Sequence, residues 1–154
     1  VAIPALAAVI SASLEKPSDR RNVMLCSIII PTLSRHTLSQ AIESILRQPI
    51  SANEIEIIIV NDSGKQLDLG CYESHPNIVI VNSNRSGLGH ACNTGASIAR
   101  GEYLQFLHDD DYLLDNGLIA LLTAAFSGGC KWVIGSAIIV DDDGKIVRGR
   151  FQCC

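Results

Sequence analysis

The stretch Cys26-Ser27-Ile28-Ile29-Ile30-Pro31-Thr32 decides the fold. A short apolar run rich in β-branched residues, without polar alternation, reads as a strand covered on both faces, and strands of that kind belong to parallel sheets. The strand is expected over 26–30, with Pro31 ending it. Outward from it, Thr37 or Ser39 can cap a helix to about Arg47, in which Leu38, Ile42, Ile45 and Leu46 recur at helical spacing. A second strand over 55–60 stops at the turn-forming Asn61-Asp62-Ser63-Gly64, and a third follows the Pro76 break over 78–81. A glycine-bearing turn from Ser86 then opens a helix carrying Ala91, Ala96, Ile98 and Ala99, which Gly101 ends, and a fourth strand is expected over 103–107. Asp115 is a plausible N-cap for a helix through Ala125 that stops at Gly128-Gly129. Trp132 to Val140 reads as a fifth strand, turned by Asp143-Gly144 toward 145–147. Strands alternating with helices predict an α/β fold with a mostly parallel, Rossmann-like sheet and flanking helices.

The chain has 154 residues, 47% of them hydrophobic and 18% charged, with a formal net charge of −4. That composition suits one soluble globular domain and excludes both a disordered acidic tail and a basic nucleic-acid binder. Residues 1–22 read as an N-terminal extension or helix, and 23–154 as the domain. The apolar run Val1 to Ala12 is shorter than the roughly 20 residues that span a bilayer. No basic residue precedes it, which argues against a secretion signal. The start at Val1 and the end at Cys153-Cys154, soon after a strand-like run, lead us to expect a domain incomplete at its C-terminus. The six cysteines form no Cys-x-x-Cys pair and are scattered along or beside apolar segments, so reduced thiols in a cytoplasmic protein are expected.

In an open α/β sheet, ligands bind beyond the carboxyl ends of the strands, where strand order reverses. Three clusters meet that rule. The first strand delivers Pro31, Thr32, Ser34 and Arg35, the second Asn61, Asp62 and Ser63, and the fourth His108, Asp109, Asp110 and Asp111. Three consecutive carboxylates repel one another unless a cation or a set of donors neutralises them, and a hard divalent ion fits such an oxygen-rich group. The competing reading is a solvated turn in which Asp111 caps a helix; Asp62 likewise reads either as an Asx-turn residue or as a ligand contact. Gly87 and Gly89 precede a helix whose backbone amides can approach phosphate or ribose. The segment is not a dinucleotide fingerprint, because Cys92 stands where the third glycine is needed, and no phosphate loop occurs. Asp141-Asp142-Asp143-Gly144 lacks a complete set of calcium-loop ligands and reads as a hairpin turn.

In this order the clusters resemble the family 2 glycosyltransferases of the GT-A fold, over Cys26 to about Val147. Ser27 to Thr32 resembles that family's opening strand and nucleotide-binding turn, and Glu56 to Ser63 its second strand, whose aspartate contacts the donor base. Gly87 to Asn93, followed by Ala99-Arg100-Gly101-Glu102-Tyr103, resembles the helix and glycine turn before the metal-binding strand. His108-Asp109-Asp110-Asp111 falls at the DXD-type motif. The resemblance implies nucleotide binding by Pro31, Thr32, Ser34, Arg35, Asp62, Gly87, Asn93 and Asp109, the last meeting the ribose. It places Asp110 on the metal, Mg²⁺ or Mn²⁺, with Asp109 and Asp111 as further candidate ligands. The implied reaction moves a sugar from a nucleotide diphosphate sugar, UDP by default, to a hydroxyl of a saccharide or lipid-linked acceptor, with inversion.

Cell-envelope or polysaccharide biosynthesis, on the cytoplasmic side and with peripheral membrane association, would follow from the same resemblance. Four positions depart from it: Leu33 where an aromatic residue is frequent, Ser34 for asparagine, Cys92 for arginine, and His108 for the first aspartate. The catalytic residue that would act as general base is unknown and expected beyond Cys154, so a nucleotide-sugar-binding module lacking the acceptor half is the alternative. A metal-dependent phosphohydrolase is a further rival, lacking a clear nucleophile and a second set of metal ligands.

Overall fold

In a computed structural model of the chain, residues 24–141 and 143–151 are described. The expected extension over 1–22 and the two terminal cysteines lie outside them. The chain forms two compact units, one ending at Asp115 and one beginning at Asn116.

The first unit is built on four strands, β1 (Cys26–Thr32), β2 (Ile55–Asn61), β3 (Ile78–Asn82) and β4 (Tyr103–Phe106), in the order β3-β2-β1-β4. Every pairing is parallel. Strand order therefore reverses between β1 and β4, which makes the carboxyl ends of β1, β2 and β4 the place where a ligand would sit. All seven residues of β1 and all seven of β2 are buried, as the unbroken Ile runs predict.

Contrary to expectation, β1 does not end at Pro31 but continues to Thr32. The Ile29 carbonyl accepts from the Leu107 amide, so alternation puts Pro31 on that same edge, past the last paired residue Phe106. The N–H that proline lacks is not needed there.

Helix α1 (Leu38–Leu46) buries Leu38, Ala41, Ile42 and Ile45. Thr37 occupies its N-cap position, but the Thr37 hydroxyl makes no capping bond. Helix α2 (Leu88–Ile98) lies against β1 and β2, where Ala91 joins Ile29, Ile58 and Val60 in one buried cluster. The close approach requires Gly95, since a Cβ there would stand 2.5 Å from Ile29 Cγ2 and 3.1 Å from Val60 Cγ2. On β4, Leu104 and Phe106 project to this face of the sheet and remain 45% and 44% exposed.

A polar network ties the amino ends of the strands together. The Ser27 hydroxyl donates to Glu56 Oε1 at 2.6 Å and accepts from the Gly101 amide at 2.8 Å. The Arg100 amide donates to Glu56 Oε1 at 2.7 Å, and its guanidinium forks onto Glu56 Oε2 at 2.9 and 2.7 Å. Burial pushes the Glu56 carboxyl up, but the bonds from Ser27 and Arg100 outweigh it and hold the group below its ordinary range. Gly101 cannot carry a side chain, because a Cβ would come within 2.4 Å of the Ser27 backbone nitrogen.

The second unit holds helix α3 (Gly117–Gly128) and a two-stranded antiparallel sheet of β5 (Ala137–Val140) and β6 (Ile146–Phe151). The N-cap of α3 is Asn116, not Asp115; it adopts a left-handed conformation, φ 62°, which asparagine tolerates well. Gly129 ends α3 in the same conformation, as the glycine pair predicts. The fifth strand is shorter than expected. Residues 131–136 have no regular structure, and Trp132 and Ile134 are 70% and 55% exposed, so no buried face stabilises an extended run there. Asp141 Oδ1 accepts from the Asp143 and Lys145 amides and closes the β5–β6 turn, as a hairpin reading requires.

The buried thiol of Cys26 is pushed up to about 12 by desolvation, and among the described residues Cys26, Cys71, Cys92 and Cys130 are free. The Glu56→Gln variant keeps the shape of the side chain but not its charge. We expect it to lose about 2–3 kcal/mol at pH 7 in urea denaturation, the scale of charged hydrogen bonds lost from a buried acceptor. Because the folded-state pKa of Glu56 is depressed, its contribution is present above roughly pH 4 and disappears as pH falls through the folded value. The gap between wild type and variant should therefore narrow in acid.

Candidate functional site

Beyond β4 the chain turns, the Asp111 amide donating to the His108 carbonyl at 3.1 Å. Leu107 and Asp109 are buried, while His108 and Asp110 are exposed. The Asp109 carboxylate turns inward, where Oδ2 accepts from the Thr32 hydroxyl at 2.7 Å and from the Leu33 amide at 3.2 Å. Thr32 Oγ1 in turn accepts from the Ser34 amide at 2.9 Å. Ser34 holds a left-handed backbone, φ 67°, uncommon for a residue with a side chain, and this directs the chain so that Arg35 faces the β4 turn. The Arg35 guanidinium bonds Asp110 Oδ2 and stands 3.6 Å from Asp109 Oδ1. Pro31, Thr32, Ser34, Arg35, Asp109 and Asp110 are thus brought together at the reversal point.

The acidic triplet splits into two roles. One nitrogen or oxygen atom from each of His108, Asp110 and Asp111 lies within 4.8 Å of the others, a spacing a single divalent ion can bridge, and all three residues are exposed. Asp109 is not in that group; its carboxylate is engaged with β1. His108 is the third member.

Asp62 follows the end of β2, and its backbone amide donates to the Thr32 carbonyl at 2.9 Å. Its carboxylate Oδ2 accepts from the Gly87 amide at 2.8 Å, bridging the β2 turn to the start of α2. Gly87 has φ 120°, a conformation that a side chain would strain. Asn93 lies exposed midway along α2.

The turn that presents Asp62 is held by Asn61, whose amide uses all of its bonding capacity. Nδ2 donates to the Lys65 carbonyl at 2.7 Å and to Asn82 Oδ1 at 3.0 Å, and Oδ1 accepts from the Ser63 amide at 3.1 Å and hydroxyl at 2.7 Å. Next to it opens a cavity of about 690 Å³ lined by Asp62, Lys65, Ile80, Asn82, Arg85 and neighbouring residues. Sequence reasoning did not find Lys65, Asn82 or Arg85. The available signal is that Asn61 and Asn82 both end strands, and the parallel register sets them side by side.

The model of the family described as glycosyl transferase family 2 matches residues 27–150. The minor teichoic acid biosynthesis protein GgaB of Bacillus subtilis (strain 168) is 38% identical over 91 residues, which are 55% of this chain and 10% of that protein. Among solved structures, S. aureus TarS 1-349 in complex with UDP-GlcNAc has a TM-score of 0.62 at 22% identity, covering 76% of this chain and 34% of that one. The mannosyltransferase PcManGT from Pyrobaculum calidifontis, in complex with GDP-Man and Mn²⁺, has a TM-score of 0.54 at 20% identity, covering 89% of this chain and 46% of that one. The chain therefore spans less than half the length of each.

Replacing Thr32 by valine removes the hydroxyl that both donates to Asp109 and accepts from Ser34. We expect a loss of about 1–2 kcal/mol of stability by chemical denaturation, the scale of a buried carboxylate deprived of one donor, with Thr32→Ser restoring most of it.

Proposed function

The chain belongs to glycosyl transferase family 2, and we propose that it forms the donor-binding portion of an enzyme that moves a sugar from a nucleotide diphosphate sugar to an acceptor hydroxyl. The observation that carries this reading is the convergence of Thr32, Arg35, Asp62, Asp109 and Asp110 on the carboxyl edge of a parallel sheet whose order reverses between β1 and β4.

In this reading the base lies toward Asp62 and the adjoining cavity, where the Asp62 carboxylate, Asn82, Asn84 and the cationic Lys65 and Arg85 offer partners to a heterocycle. Asp109 has one oxygen committed to Thr32 and Leu33, which leaves Oδ1 to accept from a ribose hydroxyl. Pro31 shapes the strand end beneath the nucleotide, Ser34 and the Gly87 amide border it, and Asn93 is assigned to nucleotide binding on the resemblance alone. The loop carrying Arg35 faces the diphosphate.

His108, Asp110 and Asp111 fit a divalent cation, Mg²⁺ or Mn²⁺, because their ligand atoms share one small exposed space. When bound, such an ion neutralises negative charge on the diphosphate as it leaves. Attack by the acceptor hydroxyl opposite the departing diphosphate inverts the anomeric centre. UDP is the default nucleotide, and GDP is the natural competitor in a test, since structural neighbours have been seen with each.

The name of GgaB, a minor teichoic acid biosynthesis protein, favours an acceptor in the cell envelope, a saccharide or lipid-linked polymer; transfer on the cytoplasmic face with peripheral contact with the membrane completes the proposal. Among the described residues no helix is long and apolar enough to cross a membrane.

Isothermal titration of the 154-residue chain with UDP in the presence of Mn²⁺ should give saturable binding. Asp110→Ala should weaken it about tenfold or more, as expected for loss of a charged ligand worth at least ~1.4 kcal/mol. Absence of binding to UDP and GDP by a folded sample, or equal binding by Asp110→Ala, would sink the donor-site reading.

A further inference from the structure

Arg35 holds the same carboxylate that the cation would need. Its guanidinium bonds Asp110 Oδ2 and stands 3.6 Å from Asp109 Oδ1, so it already supplies the positive charge that the acidic turn requires. Asp110 is also one of the three side chains whose ligand atoms cluster within 4.8 Å. A divalent ion entering that cluster meets a guanidinium at bonding distance from one of its ligands, and two cations crowded onto one carboxylate repel. The Arg35 and Asp110 side chains are 47% and 48% exposed, so the pair is solvated and can exchange partners. A planar guanidinium fork matches the oxygens of a phosphate as well as those of a carboxylate.

We propose that Arg35 is an internal counter-ion that disfavours the divalent cation until a nucleoside diphosphate arrives. It then transfers its guanidinium from Asp110 to the diphosphate, so that cation and nucleotide bind as a pair. This rests on the donor-site reading above. The coupling runs both ways: if the nucleotide raises cation affinity by drawing Arg35 off Asp110, the cation raises nucleotide affinity by the same factor. A site built this way does not fill with metal when no donor is present. It keeps Asp110 neutralised in the empty state.

The test measures Mn²⁺ binding to the full 154-residue chain by the loss of the free-ion electron paramagnetic resonance signal. It is run with Mn²⁺ alone and with Mn²⁺ plus UDP or GDP, on wild type, Arg35→Met and Arg35→Lys. Arg35→Met should bind Mn²⁺ alone about three- to tenfold more tightly, the combined effect of a lost solvated ion pair and a lost like-charge neighbour. The nucleotide-induced gain in Mn²⁺ affinity should shrink about tenfold in the same variant. Arg35→Lys, which keeps the charge without the fork, should fall between them and guards against a general effect of the substitution on folding. Equal Mn²⁺ affinity and an equal nucleotide-induced gain in wild type and Arg35→Met would overturn the role of Arg35 while leaving the donor site standing. No nucleotide-induced gain in wild type, with either nucleotide, would overturn the donor site and the exchange together.

Discussion

The central position of β1 is the constraint on which the first unit depends. It is paired in parallel on both edges and buried on both faces, so every polar group it carries must find a partner inside the protein. Two of its side chains are hydroxyls, one near each end. Ser27 meets Glu56 and the Gly101 amide, and Thr32 meets Asp109 and the Ser34 amide. Each hydroxyl joins segments more than 70 residues away to the middle of the sheet. Apolar burial makes the strand stable, but these two residues determine how the chain enters β4 and how it leaves it. The site therefore inherits the rigidity of the core: Asp109 is positioned by a side chain of the most buried strand, not by its own loop.

The sheet was legible because its strands are written in an unambiguous code. Unbroken runs such as Ile28-Ile29-Ile30 and Ile57-Ile58-Ile59-Val60 suit a surface covered on both sides, and the helical spacing between them left parallel crossovers as the natural connection. The ends of elements were less legible for reasons that are local and physical. Pro31 reads as a terminator in isolation, yet an edge whose partner has already ended tolerates it. Asp115 has the chemistry of a cap, but Asn116 takes the left-handed turn that starts α3. Trp132 to Ser136 has strand-like composition but pairs with no strand among the described residues, and composition alone does not supply a partner.

Within the candidate site, the residues at strand ends were found because topology alone brings them together. What escaped was everything that depends on register or on side-chain direction. The pairing of Asn61 with Asn82 needs the β2–β3 register, and the cavity beside them follows from it. The inward direction of Asp109 and the outward direction of His108, Asp110 and Asp111 belong to the turn that follows the end of β4 at Phe106, closed by the Asp111 amide on the His108 carbonyl. Read from its residues alone the acidic run is one cluster; the family resemblance sets Asp109, on the ribose, apart from Asp110, on the metal. The turn divides it, and His108 joins the exposed side with Asp110 and Asp111.

That division changes the electrostatic argument for a metal. From sequence, three adjacent aspartates appear to require a cation from outside, because their mutual repulsion has no visible remedy. In the folded chain two of the three are already compensated: Asp109 by the Thr32 hydroxyl and the Leu33 amide, and Asp110 by Arg35, 75 positions away in sequence. The turn can therefore exist without an ion, and stability of the acidic run is not an argument for metal occupancy. The argument passes instead to geometry, to the small exposed space shared by His108, Asp110 and Asp111. A carboxylate that the fold neutralises from within can change partners without unfolding the turn that bears it.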